Sequence, residues 1–245
     1  MLPQRSRDEL AGEAALQRAN GGFTMRHLAC RTLLAAGLLG TAPAQADSTP
    51  AAALAQSAVT AYEAGHLDEA ARLFDRAARA GNRLAQFNLA MMLFRKETVA
   101  PEPDAAWRWL RRAAGAGLAQ AQYNFALLYD RGSGVRTSLP TAAEWYRRAA
   151  EQGHTEAQVS LATMYYVGHG MPRDAAAAAR WYLAAARAGH AGAQYIVASM
   201  YETGDGVSAD LRQAEHWYAQ AALQGDIAAQ AKYEALQARP GDAAP

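Results

Sequence analysis

The feature that most constrains this chain is an internal repeat of 36 residues. Ala-Gln pairs lie at positions 85–86, 121–122, 157–158, 193–194 and 229–230. Single glycines keep the same step, at Gly81, Gly117, Gly153, Gly189 and Gly225. A fixed period of this length is typical of stacked supersecondary units, in which each unit contacts mainly its neighbours. We therefore expect a linear array instead of a single globular core.

One period reads as two helices separated by glycine turns. Residues 119–131 carry apolar side chains at helical spacing, and Gly132 and Gly134 then interrupt the pattern. A second helical segment follows and ends at Gly153. Trp145 or Tyr146 forms its buried stripe together with small alanines. The side chains expected to cap the second helices share one register: Ser138, Asp174 and Asp210.

The segment AQYNFALLYDRGSGV, followed by TAAEWYRRAAEQG, resembles the Sel1-like repeat, a relative of the tetratricopeptide repeat. The resemblance implies an all-α fold, a right-handed α-solenoid of stacked antiparallel helix pairs. The turn of the second repeat departs from the pattern, because Lys96 and Thr98 replace glycines. The expected repeats are 51–82, 83–118, 119–154, 155–190 and 191–226, with a capping helix at 227–239 and a disordered tail at 240–245.

The N-terminal region resembles an export signal. Basic residues follow Met25, a short apolar run covers 32–42, and Ala44-Gln45-Ala46 forms a small-x-small cleavage site. We expect residues 25–46 to be a signal peptide, residues 1–24 to be a non-native or disordered extension, and the mature chain to begin near Asp47. The predicted location is the periplasm or the cell exterior. If 25–46 is instead an apolar helix of a soluble protein, the same scaffold stays in the cytoplasm.

Charge argues against polyanionic partners. The whole chain has a formal net charge of +1, with 24 basic and 23 acidic residues. Residues 1–46 contain five of the basic and three of the acidic residues, which leaves 19 and 20 and a net charge of −1. A near-neutral array predicts no binding of nucleic acid. After signal cleavage we also expect no stable membrane anchor.

The residues form no recognisable catalytic constellation. His154 and His190 share one repeat position beside a glycine, which indicates a local structural role. The Gly132-x-Gly134 motif joins two helices, whereas a phosphate-binding loop needs a preceding strand. The sequence therefore predicts no enzyme, no cofactor and no metal site. An enzyme acting on peptidoglycan or β-lactams, a role suggested for some cysteine-rich relatives, is the unlikely alternative.

By resemblance, the first helix of each repeat lines the concave face of the array. The predicted partner-binding residues there are Phe87, Asn88, Met91, Tyr123, Asn124, Leu127, Val159 and Tyr195. Aromatic rows with a few amides suit an extended peptide or a partner helix. The competing interpretation is that the tyrosines only pack between helices and the asparagines are solvated. The predicted function is a non-catalytic scaffold or adaptor, in the bacterial envelope or secreted, that binds a peptide or protein.

Overall fold

The computed structural model describes residues 50–98 and 104–238, and this part of the chain contains eleven α-helices and no strand. The all-α fold of consecutive helix pairs is confirmed. In chain order, α1 to α11 are Pro50–Glu63, Leu67–Arg79, Arg83–Phe94, Ala105–Gly115, Ala119–Arg131, Leu139–Glu151, Thr155–Val167, Ala175–Arg187, Ala191–Thr203, Leu211–Leu223 and Ile227–Gln237.

The chain divides into two compact units, with the boundary between Thr137 and Ser138. In the described part of the first unit, α1 to α5 each pack against the next helix along the chain. In the described part of the second unit, α6 to α11 do the same. Each unit is therefore a stack of helices in chain order, as the repeat requires.

Small and large side chains alternate in the core. Alanine pairs on the second helix of each of the first four repeats are buried, which lets neighbouring backbones approach closely. One large residue per repeat then fills the remaining space. These residues are almost fully buried and lie in one register: Phe74, Leu110, Tyr146, Tyr182 and Tyr218. Of the two aromatic candidates in the third repeat, Tyr146 faces the core, while Trp145 is half-buried under the guanidinium of Arg148.

A glutamine at the start of α3, α5, α7 and α9 ties each of these helices to the helix before it. The Nε2 of Gln158 donates to the carbonyl of Ala150 at 3.2 Å, and Gln194 does the same to Ala186. Gln86 and Gln122 make the equivalent bonds in the first unit. These carbonyls belong to the last turn of a helix, where several oxygens lack a partner within the helix. The conserved register of the Ala-Gln pair therefore has a direct structural cause.

The turn after α3 keeps the geometry of the glycine turns without a glycine. Lys96 adopts φ 57°, in the left-handed region that Gly132 occupies after α5 at φ 69°. The next backbone N–H closes the turn in both places, Glu97 to Met92 and Ser133 to Leu128, each at 3.0 Å. Although Lys96 and Thr98 replace the glycines, the turn keeps the same backbone conformation, and Lys96 adopts a strained left-handed φ to do so.

One predicted helix cap is wrong. The side chain of Ser138 accepts no backbone hydrogen bond, whereas Asp174 accepts from the N–H of Ala177 at 2.8 Å and Asp210 from that of Gln213 at 3.1 Å. Ser138 Oγ instead bonds Thr141 Oγ1 at 2.7 Å. The hydroxyl of Thr141 competes for the cap, and the other two repeats have no hydroxyl at this position.

The predictions for the chain termini fall outside the described residues. They are the extension at 1–24, the signal peptide at 25–46 and the tail at 240–245. Among the helices that the structure describes, none has the length and apolar character needed to cross a membrane.

Candidate partner-binding cleft

The first unit contains an open cleft of about 130 Å³ between α3, α4 and α5. The lining side chains are Met91, Phe94, Arg95, Leu110, Asn124, Leu127, Leu128, Arg131 and Ser133. Most of the wall is therefore apolar, and the polar groups are few.

Helical spacing explains how these side chains converge. Asn124, Leu127, Leu128 and Arg131 are three or four residues apart on α5, so they share one face of that helix. The last turn of α3 supplies the opposite wall. Leu110, which is 1% exposed, contributes the floor from α4. Two first helices and the second helix between them therefore build the cleft together.

Asn124 is the central polar group of the cleft. Its side chain is largely buried, and Nδ2 lies 3.7 Å from the sulfur of Met91. A thioether sulfur is a weak acceptor, so this contact satisfies an amide poorly compared with a carbonyl oxygen. The cleft thus holds a buried amide whose best partner among the described contacts is a weak one.

A hydrogen-bonded cluster holds one arginine at the rim. Arg95 Nη1 donates to the hydroxyl of Tyr62 at 3.3 Å and lies 3.8 Å from Glu97 Oε1. The same hydroxyl donates to Glu97 at 3.1 Å. Burial and the neighbouring carboxylate raise the pKa of Tyr62, so its hydroxyl stays protonated as a donor. The cluster restricts the positions that the guanidinium of Arg95 adopts.

Three of the predicted binding residues lie together in this cleft: Met91, Asn124 and Leu127. Phe87 and Asn88 are part-buried on α3 but do not line it. Tyr123 and Val159 are buried, at 8% and 4% exposure. Tyr195 packs edge-on against Tyr218, with ring centroids 5.4 Å apart. For these last five residues a binding role stays a prediction.

The sequence reasoning missed Phe94, Arg95, Leu110, Leu128, Arg131 and Ser133. Two of them carried a readable signal, because Arg95 and Arg131 occupy the same repeat position on successive first helices. Leu110 had none, since it lies on a second helix and the expected binding face consisted of first helices alone.

The second unit has its own cleft. It has a volume of about 170 Å³ and lies between α8, α9 and the turn at Gly206. None of the predicted binding residues lines it. Arg180 is its only charged lining residue, and the wall includes Leu183, Val197 and Met200.

The repeated histidines are helix caps. His154 Nδ1 accepts from the N–H of Ala157 at 3.3 Å, and His190 Nδ1 from that of Ala193 at 3.0 Å. Burial lowers the pKa of His154 to about 4, which keeps its imidazole neutral and able to accept. Within residues 50–98 and 104–238, no group of three or more His, Cys, Asp or Glu side chains is arranged to hold a metal ion.

A sequence profile of the Sel1 repeat matches residues 67–82, 83–118, 119–154, 155–190 and 191–226. No curated protein matches the chain. Among solved structures, a Sel1 repeat protein from Oxalobacter formigenes is 29% identical, with a TM-score of 0.66; the match covers 77% of this chain and 79% of that protein. The Escherichia coli protein c5321, a protective antigen of uropathogenic strains with an SLR fold, is 33% identical over 66% of this chain, with a TM-score of 0.62. The match spans 35% of that antigen's length.

Proposed function

Because the chain belongs to the Sel1 repeat family, we propose that it is a non-catalytic scaffold whose first unit binds a peptide segment of a protein partner in the cleft between α3 and α5. Sel1 repeats generally mediate protein–protein interactions. The observation that carries the proposal is the convergence of Met91, Leu127 and the buried amide of Asn124 in one cleft.

The chemistry of the cleft supports a peptide as the occupant. Its apolar walls would take one large side chain, which would be removed from water on binding. The amide of Asn124 offers both a donor and an acceptor, the two groups that an extended peptide backbone presents. Met91 has three rotatable side-chain bonds and adapts its shape to differing side chains. The face formed by the first helices is therefore the binding face in this proposal.

The scaffold role is also supported by what the repeated polar residues do. His154 and His190 cap helices, and the glutamines of the first four Ala-Gln pairs bond the preceding helix. Residues that recur with the repeat are thus engaged in holding the array together. An enzyme would need a nucleophile and a base in contact, and no recurring residue offers that pair.

The test is a charge placed in the cleft. Peptides selected from a random library against the full chain should bind Leu127→Glu at least about tenfold more weakly, because the carboxylate would be buried against the apolar part of the ligand. The matched control is Leu223→Glu, since Leu223 is 81% exposed and lies outside the cleft. Affinities follow from fluorescence anisotropy. Peptides that bind both variants as tightly as the wild type would place the binding surface elsewhere.

We further propose that the scaffold works outside the cytoplasm, in the periplasm or beyond the cell. The support is the sequence from Met25 to Ala46, with its basic start, apolar run and small-x-small site. Mass spectrometry of the protein isolated from its own cells should give an N-terminus near Asp47. An intact N-terminus at Met1 or Met25 would favour the alternative, a cytoplasmic scaffold with the same repeats.

A further inference from the structure

Both charged side chains that line the cleft of the first unit are arginines. Arg95 and Arg131 line it, and among the described residues no carboxylate does. Arg95 directly follows the last residue of α3, and Arg131 is the last residue of α5, so both lie at the C-terminal ends of first helices. The cleft of the second unit lacks this arrangement, because Arg180 is its only charged lining residue.

The two arginines are not equivalent. Arg95 has a carboxylate nearby, since its Nη1 lies 3.8 Å from Glu97 Oε1, and that charge offsets part of its field. The Tyr62 hydroxyl also accepts from the same nitrogen and orients the group. Arg131 lies exposed in the last turn of α5, one helical turn after Leu127 and Leu128.

From this charge complementarity we infer that the occupant of the cleft is an acidic peptide segment, in which one large apolar side chain is flanked by Asp or Glu. The apolar side chain enters between Met91 and Leu127, and the flanking carboxylates meet the guanidinium groups. A guanidinium pairs with a carboxylate through two parallel hydrogen bonds, which a neutral amide cannot match. This inference rests on the proposed function and adds the chemical class of the partner.

The charge preference should be measurable but moderate. Exposed ion pairs contribute roughly 0.2–1 kcal/mol each, so two of them give a preference of about tenfold over a neutral peptide. Such a preference should shrink strongly at about 0.5 M salt, where the Debye length falls to a few ångströms. The apolar contribution should persist at that salt concentration.

The experiment compares three fluorescent peptides, blocked at both ends, on the full chain: GSDEFEDSG, its neutral counterpart GSNQFQNSG and the basic GSKKFKKSG. We expect the acidic peptide to bind about tenfold more tightly than the neutral one at about 50 mM salt, where charges are weakly screened. Arg131→Gln and Arg95→Gln should each remove part of this difference. The control is Arg83→Gln, because Arg83 lies exposed at the start of α3, outside the cleft.

The outcomes distinguish the preference for an acidic peptide from the use of the cleft as the binding site. If the neutral peptide binds as tightly as the acidic one, and Leu127→Glu still weakens binding at least about tenfold, the acidic preference is wrong and the cleft stands as the site. If the preference survives Arg131→Gln together with Arg95→Gln, the attraction comes from elsewhere and the inference is overturned. If the acidic peptide does not bind at about 1 mM, where even an affinity of about 4 kcal/mol would be seen, the inference is also overturned. The library selection then judges the proposed function by itself.

Discussion

At the scale of single residues, the histidine caps are the least usual feature of the chain. Helix starts generally use the oxygen of Ser, Thr, Asp or Asn to accept a backbone N–H. His154 and His190 do the same with a ring nitrogen, which is possible only while the imidazole is neutral. The cap at His154 is therefore lost when the imidazole of His154 is protonated.

We predict that acid destabilises the chain through His154. The pKa of this group is about 6.5 in the unfolded chain and about 4 in the folded one, because burial disfavours the charged ring. Between these values the unfolded chain binds the proton and the folded chain does not. Stability should therefore fall as the pH drops from about 6.5 to about 4, by roughly 3 kcal/mol at most, and show no further loss from this group below that.

The control for this titration is His154→Asn. An asparagine caps the equivalent helix at position 82, where Asn82 Oδ1 accepts from the N–H of Ala85 at 2.9 Å. The variant should keep the cap and lose the titration. Urea unfolding at pH 7 and pH 4 measures both chains. If wild type and variant lose equal stability over this range, His154 is not the responsible group.

At the scale of helices, α5 starts with a missing cap. Four first helices begin at a side chain that accepts a backbone N–H, namely Asn82, His154, His190 and Asp226. Leu118 has the same extended backbone, φ −74° and ψ 113°, but no acceptor. We predict that Leu118→Asn stabilises the chain by about 1 kcal/mol, the usual contribution of such a cap. Thermal unfolding followed by circular dichroism checks this value.

The reverse substitution serves as the matched control. Asn82→Leu removes the acceptor at an equivalent helix start and should cost about the same amount, about 1 kcal/mol. If Leu118→Asn destabilises the chain instead, the apolar contacts of the half-buried leucine outweigh the cap. The two variants together separate the cap from those contacts.

The helices also mark the boundary of what the sequence could predict. The Ala and Gly registers predicted helix pairs and turns, because chain geometry alone restricts where a positive φ or a close approach is possible. They left Trp145 and Tyr146 undecided, since adjacent residues point about 100° apart on a helix and only the packing of neighbours selects one. In the cleft, Met91, Asn124 and Leu127 followed from the first-helix pattern. Tyr123 and Val159 are buried by neighbouring helices, whose positions the pattern does not specify.

At the scale of the whole molecule, the place of a residue along the array decides what it tolerates. Four equivalent alanines on first helices are fully buried: Ala90, Ala126, Ala162 and Ala198. The fifth position of this register, on α11, is Glu234, which is exposed and accepts from Gln230 at 3.0 Å. A carboxylate is costly to bury, so this position is exposed where the four equivalent alanines are buried.

We predict opposite outcomes for exchanges at two positions of this register. Ala198→Glu should cost more than about 4 kcal/mol, because it buries a carboxylate without a partner in the core of the second unit. Glu234→Ala should change stability by no more than about 0.5 kcal/mol, as exposed positions usually do. Thermal unfolding of both variants measures this. If Ala198→Glu is also tolerated, the described stack is looser than its burial indicates.

The bond from each leading glutamine to the preceding helix has a consequence for how such chains change length. Gln158 and Gln194 make the same bond, eight residues after the alanine that accepts it, and each follows a histidine cap. Excising residues 155–190 would join His154 directly to Ala191 and leave the carbonyl of Ala150 facing Gln194. A deletion of one whole repeat thus yields a chain in which the bond from the glutamine to the preceding helix is kept. The removal of one whole repeat is therefore compatible with this bond.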